Sequence, residues 1–252
     1  EFDLRYSKKE GTFQYNVFSN LSTVKNEVIY VPSSIFTTQS YEVTNITQVG
    51  DPIGSLYGHV AERIIQESDF DEEGNYLHAM PAEGLPSPGD LKFKDINDDG
   101  KINDDDRKII GKTIPDFSYS FGFECFYRDF DFSIFLYGIN NAQIYNTMRR
   151  NTECFLTQDL DHNKSADWTA NYYGKDGVSS TEYVRADPND INRNSRISSW
   201  WVDDASFLRI KDLQFGYTLP RGISGKIGLK KARIYLSAVN LYTFTKYKGY
   251  DP

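Results

Sequence analysis

The sequence predicts an all-β chain: part of a large antiparallel transmembrane β-barrel with long extracellular loops. Three observations carry that prediction. Side chains change character at every second position, as on a strand whose two faces meet different surroundings. The alternating runs are about 9 to 13 residues long, enough to cross a bilayer when tilted. Their connections alternate between short and long, the asymmetry of barrels with tight periplasmic turns and long outer loops.

The first hairpin opens the chain. Phe2, Leu4 and Tyr6 lead into the turn Lys8-Lys9-Glu10-Gly11, and Phe13, Tyr15, Val17 and Leu21 share a face on the return. A long excursion follows over 23–115. From Phe117 the odd positions Phe117, Tyr119, Phe121, Phe123, Cys125 and Tyr127 form an apolar face. Ser118, Ser120, Gly122 and Glu124 lie between them, and Arg128-Asp129 turns the chain into Phe130, Phe132, Ile134 and Leu136. After a second excursion over 141–206 comes a third hairpin, FLRIKDLQFGYTLP (207–220) with KARIYLSAVNLYTF (231–244). There Leu213, Phe215, Tyr217 and Leu219 share a face while Leu208 and Ile210 fall on the other. Either a bulge or a half-buried upper end accounts for that break. Strand parity holds if the first excursion adds zero or two crossings, and SLYGHVAERII (55–65) with the short stretch before residue 95 is the candidate pair.

Composition fits this reading. A net charge of −8 in 252 residues argues against a nucleic-acid footprint. No apolar run is long enough for a membrane-spanning helix. The 18 Tyr and 17 Phe suit interfacial girdles. Because the chain starts in mid-pattern at EFDLRYS and stops in mid-loop at KYKGYDP, it is expected to be an internal piece of a longer protein. A soluble β-sandwich is the competing fold, but its turns come every 8–12 residues or so. Two excursions as long as these are unusual in a compact soluble domain. Cys125 and Cys154 fall at opposite ends of the strands, too far apart to pair with each other. His59, His78 and His162 form no ligand spacing and are expected to be solvated in loops.

The most chemical stretch is DINDDGKINDDD, 95–106. A run this acidic repels itself unless water or a cation absorbs the charge. A twelve-residue calcium loop supplies oxygens at alternate positions around an invariant glycine. Counting from Asp95, the ligand positions fall on Asp95, Asn97, Asp99, Lys101 (through its carbonyl), Asn103 and Asp106, with Gly100 at the sharp turn. Ile102 is expected to point inward as the loop's anchor. Asp106 is shorter than the usual Glu and reaches a cation through one oxygen or a water. The alternative is an acidic turn capping the segment from Asp104 to Ile110. Either way the role is structural: bound Ca²⁺ would pin the base of an outer loop.

The second excursion is rich in Asn, Asp, Ser and Tyr. Trp168, Tyr172 and Tyr173 are candidate substrate contacts, since aromatic faces stack on sugar rings or peptide side chains. Ordinary loop packing is the competing role. Trp200 and Trp201, just before a strand, suit an interface anchor or loop-base packing. Arg149-Arg150 and Asp159/Asp161 read as solvated charge. No nucleophile–base pairing, phosphate loop or supported acid pair is present, so no enzymatic activity is expected.

The wording of several segments resembles the SusC-like TonB-dependent transporters of Bacteroidetes outer membranes (the SusC/RagA family). VGDPIGSLYGHVAERIIQ (49–66) is similar to their G-x-P-I-G-S-F-Y-G-Y segment, with Leu56 and His59 where Phe and Tyr are common. PGDLKFKDINDDGKINDDDRKIIGKTIPDFSYSFGF (88–123) resembles their metal-loop and strand-entry pattern. DFDFSIFLYG (129–138), SFLRIKDLQFGYTLP (206–220) and YLSAVNLYTFTKYKGYDP (235–252) resemble the closing strands. The resemblance implies a barrel of about 22 strands, of which 1–252 is roughly the last quarter to third, without plug or final strand. It also implies TonB as energy source, a SusD-like surface lipoprotein as lid, and a glycan or peptide as substrate. The outer-membrane lipid surrounds such a barrel. A soluble calcium-stabilised, β-rich carbohydrate-binding module is the alternative.

Overall fold

The computed structural model describes residues 1–39, 42–155 and 163–251, with side chains described except at 38, 39, 42, 43 and 227. Six long strands form one antiparallel sheet in chain order: Phe2–Lys8, Phe13–Thr23, Phe117–Tyr127, Phe130–Asn140, Phe207–Thr218 and Arg233–Thr245. These are the first to sixth wall strands. The second pairs directly with the third, from Phe117↔Thr23 to Tyr127↔Phe13. The first excursion therefore adds no crossing. Its candidate pair instead forms short strands, Ser55–His59, Ala61–Ile64 and Leu91–Phe93, above the wall.

Adjacent rungs of the wall differ in chemistry as the alternation requires. One runs Tyr15, Cys125, Phe132, Phe215, Leu236, and the next on that face runs Val17, Phe123, Ile134, Leu213, Ala238. Between them, on the opposite face, lies Asn16, Glu124, Ser133, Gln214, Ser237. The apolar face is the outer one. Its side chains stay exposed in this chain, Leu236 at 77% and Ile234 at 65%, and hydrocarbon is the solvent they match. Covering each such side chain is worth about 1.5–3 kcal/mol.

The break in the fifth strand is a bulge. Phe135 pairs with Asp212 and Leu136 with Ile210, so Lys211 is the extra residue. That insertion returns Leu208 and Ile210 to the face of Leu213 and Phe215. Opposite it on the sixth strand, Asn240 takes a φ of 51°, which Asn tolerates better than most residues.

Aromatic contacts concentrate at both rims. At the short-turn end Tyr6–Tyr15, Phe13–Tyr15 and Phe130–Tyr217 lie 5.9, 5.6 and 4.7 Å apart, and the Arg128 guanidinium sits 5.3 Å over Tyr127. At the other end are Phe117–Tyr119 and Tyr242–Phe244. Rings at both levels suit the two interfaces of a bilayer. On the inner face, Phe18 lies across the third strand so closely that a Cβ on Gly122 would meet its ring at 2.0 Å. Any larger residue there would force the Phe18 ring to move.

The dry core lies in the loops. The excursions build a four-stranded sheet from Ile35–Gln39, Glu42–Thr47, Ser55–His59 and Arg107–Gly111. They add helices Thr147–Glu153 and Ala166–Asn171, capped at their starts by Asn146 and Ser165. Ile64, Leu91, Phe93, Ile102, Cys154, Val184 and Trp201 form one buried cluster drawn from both excursions. Cys125 stays on the outer face of the wall and Cys154 in this cluster; both are free thiols.

Candidate functional site

The two excursions meet above the wall at a buried polar junction. Asp90, fully buried, accepts from Ser87 N (2.8 Å), Arg185 Nε (2.7 Å) and Asn194 Nδ2 (2.8 Å). Asn194 Oδ1 in turn accepts from Leu91 N and Asn192 Nδ2, both at 2.8 Å. Asp190 accepts from Asn194 N at 2.6 Å, and burial still pushes its carboxyl up to about 6. A network this dry holds its geometry because each member lost costs the desolvation of the others. Gly89, at φ 93°, lets the Tyr173 ring lie where a Cβ would come within 2.5 Å. Sequence reasoning did not single out Asp90, Arg185, Asn192 or Asn194. Their only signal was the PGD triplet, since isolated Asn in a polar loop looks solvated.

His59 belongs to this junction and is buried, not solvated. Its backbone N–H donates to Ile197 O at 2.9 Å, and Nε2 lies 2.9 Å from Asn103 O. Burial, then the Arg196 charge, hold the imidazole down at about 4. It is therefore neutral, with Nε2–H the donor to that carbonyl. His78 is exposed, with its Nε2 2.7 Å from Asp69, and His162 lies outside the described residues. The arginine pair also departs from the solvated reading. Arg149 joins Glu153 and Asp203, and Arg150 is buried with its Nε on Ser195 O. Asp159 and Asp161 lie outside the described residues.

The 95–106 loop closes on itself. Asp95 Oδ2 accepts from Gly100 N (2.8 Å), Asn97 Oδ1 from Asp99 N (3.1 Å), and Asp99 Oδ1 from Lys101 N (2.9 Å). Asn103 and Asp106 form a reciprocal cap on the turn Asp104–Asp106. Asp106, fully buried, accepts from Ile96 N and Asn103 N at 2.8 Å. Asp98 (φ 58°) and Gly100 (φ 79°) supply the sharp bend, and Ile102 is buried in the loop core. Asp95 Oδ1 is buried without a hydrogen-bond partner. Among the described residues no three His, Cys, Asp or Glu side chains gather as a metal-holding group. A cation here would draw on Asn97, Asn103 and the Lys101 carbonyl as well. The orphaned oxygen and the hard oxygen donors fit Ca²⁺.

Trp168 lies inside its loop, 3% exposed, with Tyr172 stacked on it at 5.0 Å, Phe155 edge-on at 5.6 Å, and its Nε1 on Val184 O at 3.1 Å. These contacts are those of loop packing. Tyr172 and Tyr173 are half-buried beside it. Trp201 is fully buried, donating to Asn194 O at 3.0 Å, which is loop-base packing and not an interface anchor.

Comparison with known proteins places this architecture. A TonB-dependent receptor of Formosa agariphila, P3, is 32% identical over 247 residues, 95% of this chain and 23% of that protein. SusC of Bacteroides thetaiotaomicron is 25% identical over 185 residues, 70% of this chain and 17% of that receptor. The chain belongs to the SusC-like TonB-dependent receptors. No family model matches it. The fold is that of the RagAB peptide importer. The TM-score is 0.73 to its open-open state and 0.69 to its closed-closed state, at 19% identity over 99% of this chain. This receptor chain spans about a quarter of the length of those solved chains. The six wall strands are thus a section of an outer-membrane barrel. No helix among the described residues is long and apolar enough to cross a membrane; the receptor crosses with strands.

Proposed function

We propose that the full-length receptor imports oligosaccharides or peptides across the outer membrane, energised through TonB and working with a SusD-like surface lipoprotein. The observation that carries this reading is the division of the chain: a wall with one apolar and one polar face, topped by a loop assembly with its own buried core. The likeness to P3 and SusC supports the family-level part, and the likeness to the RagAB importer supports an import architecture. Function here is conformational gating, with no chemistry on the substrate. Deleting the receptor gene, or TonB, is expected to abolish uptake of one class of labelled oligosaccharide or peptide. Affinity purification of the receptor is expected to bring a surface lipoprotein with it. Unchanged uptake in both deletions overturns the reading.

Calcium belongs to the same proposal. Ca²⁺ held by Asp95, Asn97, Asp99, Lys101, Asn103 and Asp106 would pin the base of the first excursion, with Asp95 Oδ1 gaining the partner it lacks. Chelation is expected to speed amide exchange in 95–106. Asp95→Asn and Asp99→Asn are expected to remove the response to added calcium. Exchange that is identical with chelator and with excess calcium counts against the metal.

A further inference from the structure

The short-turn end of the wall is basic in a chain that is acidic as a whole. The connection between the fifth and sixth strands, PRGISGKIGLKK (220–231), holds Arg221, Lys226, Lys230 and Lys231 and no Asp or Glu, while the chain carries a net charge of −8. The other two short connections add Lys8, Lys9 and Arg128 against Glu10 and Asp129. The three hairpins are adjacent in the sheet, so these charges fall in one row along a single rim. Like charges gathered this way repel one another unless an opposite charge meets them.

The chain itself does not supply that charge. Arg221, Lys226, Lys230 and Lys231 are exposed, and none forms an ion pair or side-chain hydrogen bond among the described residues. The carboxylate next to them, Asp131, is taken by Arg233 at 3.0 and 2.5 Å, and Lys231 only adds its field to that pair. The connection is nevertheless a built element. Ile223 N and Ser224 N donate to Pro220 O at 2.9 and 3.1 Å, and Leu229 N donates to Ser224 O at 3.0 Å. Ser224 is buried within it, while Ile223 and Leu229 stay 52% and 48% exposed. The next level up the wall is aromatic: Tyr217 lies against Phe130, and Arg128 sits over Tyr127. Such rings mark the depth of a bilayer interface, so the cations that follow within a few residues stand at headgroup depth. Exposed apolar side chains among unpaired bases suit a segment lying in that interface, apolar groups toward the acyl chains and bases toward phosphate. An acidic polypeptide would match the bases too. The rim, however, continues the apolar outer face of the wall, where a bilayer supplies hydrocarbon and phosphate together.

We propose that the 220–231 connection is a foot on the periplasmic leaflet of the outer membrane. Arg221, Lys226, Lys230 and Lys231 hold the phosphates of anionic phospholipids, and Ile223 and Leu229 rest at the acyl boundary. The test follows amide exchange of the full-length receptor at low salt in two kinds of nanodisc. One is phosphatidylcholine alone, and the other is phosphatidylcholine with one quarter phosphatidylglycerol. Phosphatidylglycerol is expected to slow exchange across 220–231 by about fivefold or more, as even one engaged cation would give. The difference is expected to vanish in molar salt, where the Debye length falls to about 3 Å. A variant carrying Arg221→Gln, Lys226→Gln, Lys230→Gln and Lys231→Gln is expected to exchange equally in both discs. Lys94→Gln with Lys108→Gln, on exposed lysines of the outer loops, is expected to keep the parent's difference. All six positions are exposed, so the barrel folds in both variants. Equal exchange of the parent in the two discs overturns the proposal. A slowing that survives neutralisation of the four cations overturns it as well, since the lipid would then act elsewhere on the barrel. Protection by polyglutamate in phosphatidylcholine discs, with none from phosphatidylglycerol, would give the rim to an acidic protein and not to lipid.

Discussion

The wall and the loop assembly are built for different solvents, and they differ in where their polar groups go. In the wall, backbone pairing is complete between neighbours while large apolar side chains point outward and stay exposed, with Leu4 at 57% and Leu236 at 77%. In the loops the relation inverts. Trp201, Ile65 and Leu91 are sealed, and Asp90, Asn192 and Asn194 are buried with them. A strand in lipid satisfies its own polar backbone through its neighbours. A long loop has no such ladder, so side-chain amides and carboxylates must satisfy it from within. That explains why Asn and Asp, ordinarily turn residues, form the centre of this cap. The wall takes its stability from a medium outside the chain; the loops must supply their own core.

The comparison breaks most visibly at Trp201. Trp201→Ala removes the largest fully buried side chain among the described residues and is expected to cost about 3–5 kcal/mol. Amide exchange is expected to rise across 60–110 and 142–205 while the wall strands keep their protection. Loss of protection in the wall as well would mean that the two regions fold as one unit. Next in size is a charge on the outer face. Phe123, mid-strand between Val17 and Ile134, should tolerate Arg at a cost of about 2–4 kcal/mol, against about 0–1 near the interface. Ser120→Arg, three rungs away in register with Asn20 and Tyr137 on the inner face, is expected to fold into lipid vesicles nearly as well as the parent. Equal losses from both substitutions would undo the assignment of faces.

Much of the wall was legible because period-two alternation is a local signal. Phe117 to Tyr127 announces its two faces residue by residue. The bulge at Lys211 was legible only as a broken pattern, because one extra residue and a change of environment produce the same text. The loop junction was scarcely legible. His59, Arg150 and Asp90 are polar residues in polar stretches, and their burial follows from two excursions meeting far apart in sequence. Contact between Asp90 and Asn194 carries no periodicity. The acidic loop 95–106 sits between these cases: Ile102 was readable as its inward-pointing anchor, and it is buried in the loop core. The capping pair Asn103 and Asp106 had been anticipated only as an alternative, and the structure shows those side chains serving the turn directly.

The smallest effect concerns one carboxylate that organises a hairpin within the first excursion. Asp69 is buried against the Arg63 guanidinium at 2.5 and 2.6 Å, and also meets Gln66 N at 2.8 Å and His78 Nε2 at 2.7 Å. The Arg63 hydrogen bonds hold its carboxyl well below the usual carboxylate range. A depressed folded value means that its contribution is present above the unfolded value of about 3.9. It is lost as pH falls through the folded value. The segment 63–78 is therefore expected to keep its exchange protection on acidification to pH 4 or so, and to loosen only in stronger acid. Arg63 is 44% exposed, so solvent screens much of the pair. Asp69→Asn is accordingly expected to cost only about 1–2 kcal/mol, felt within 63–78 alone. A parent protein that loosens in this segment by pH 5, or a variant that disturbs the wall, would show that the loops and the barrel are less separable than their cores imply.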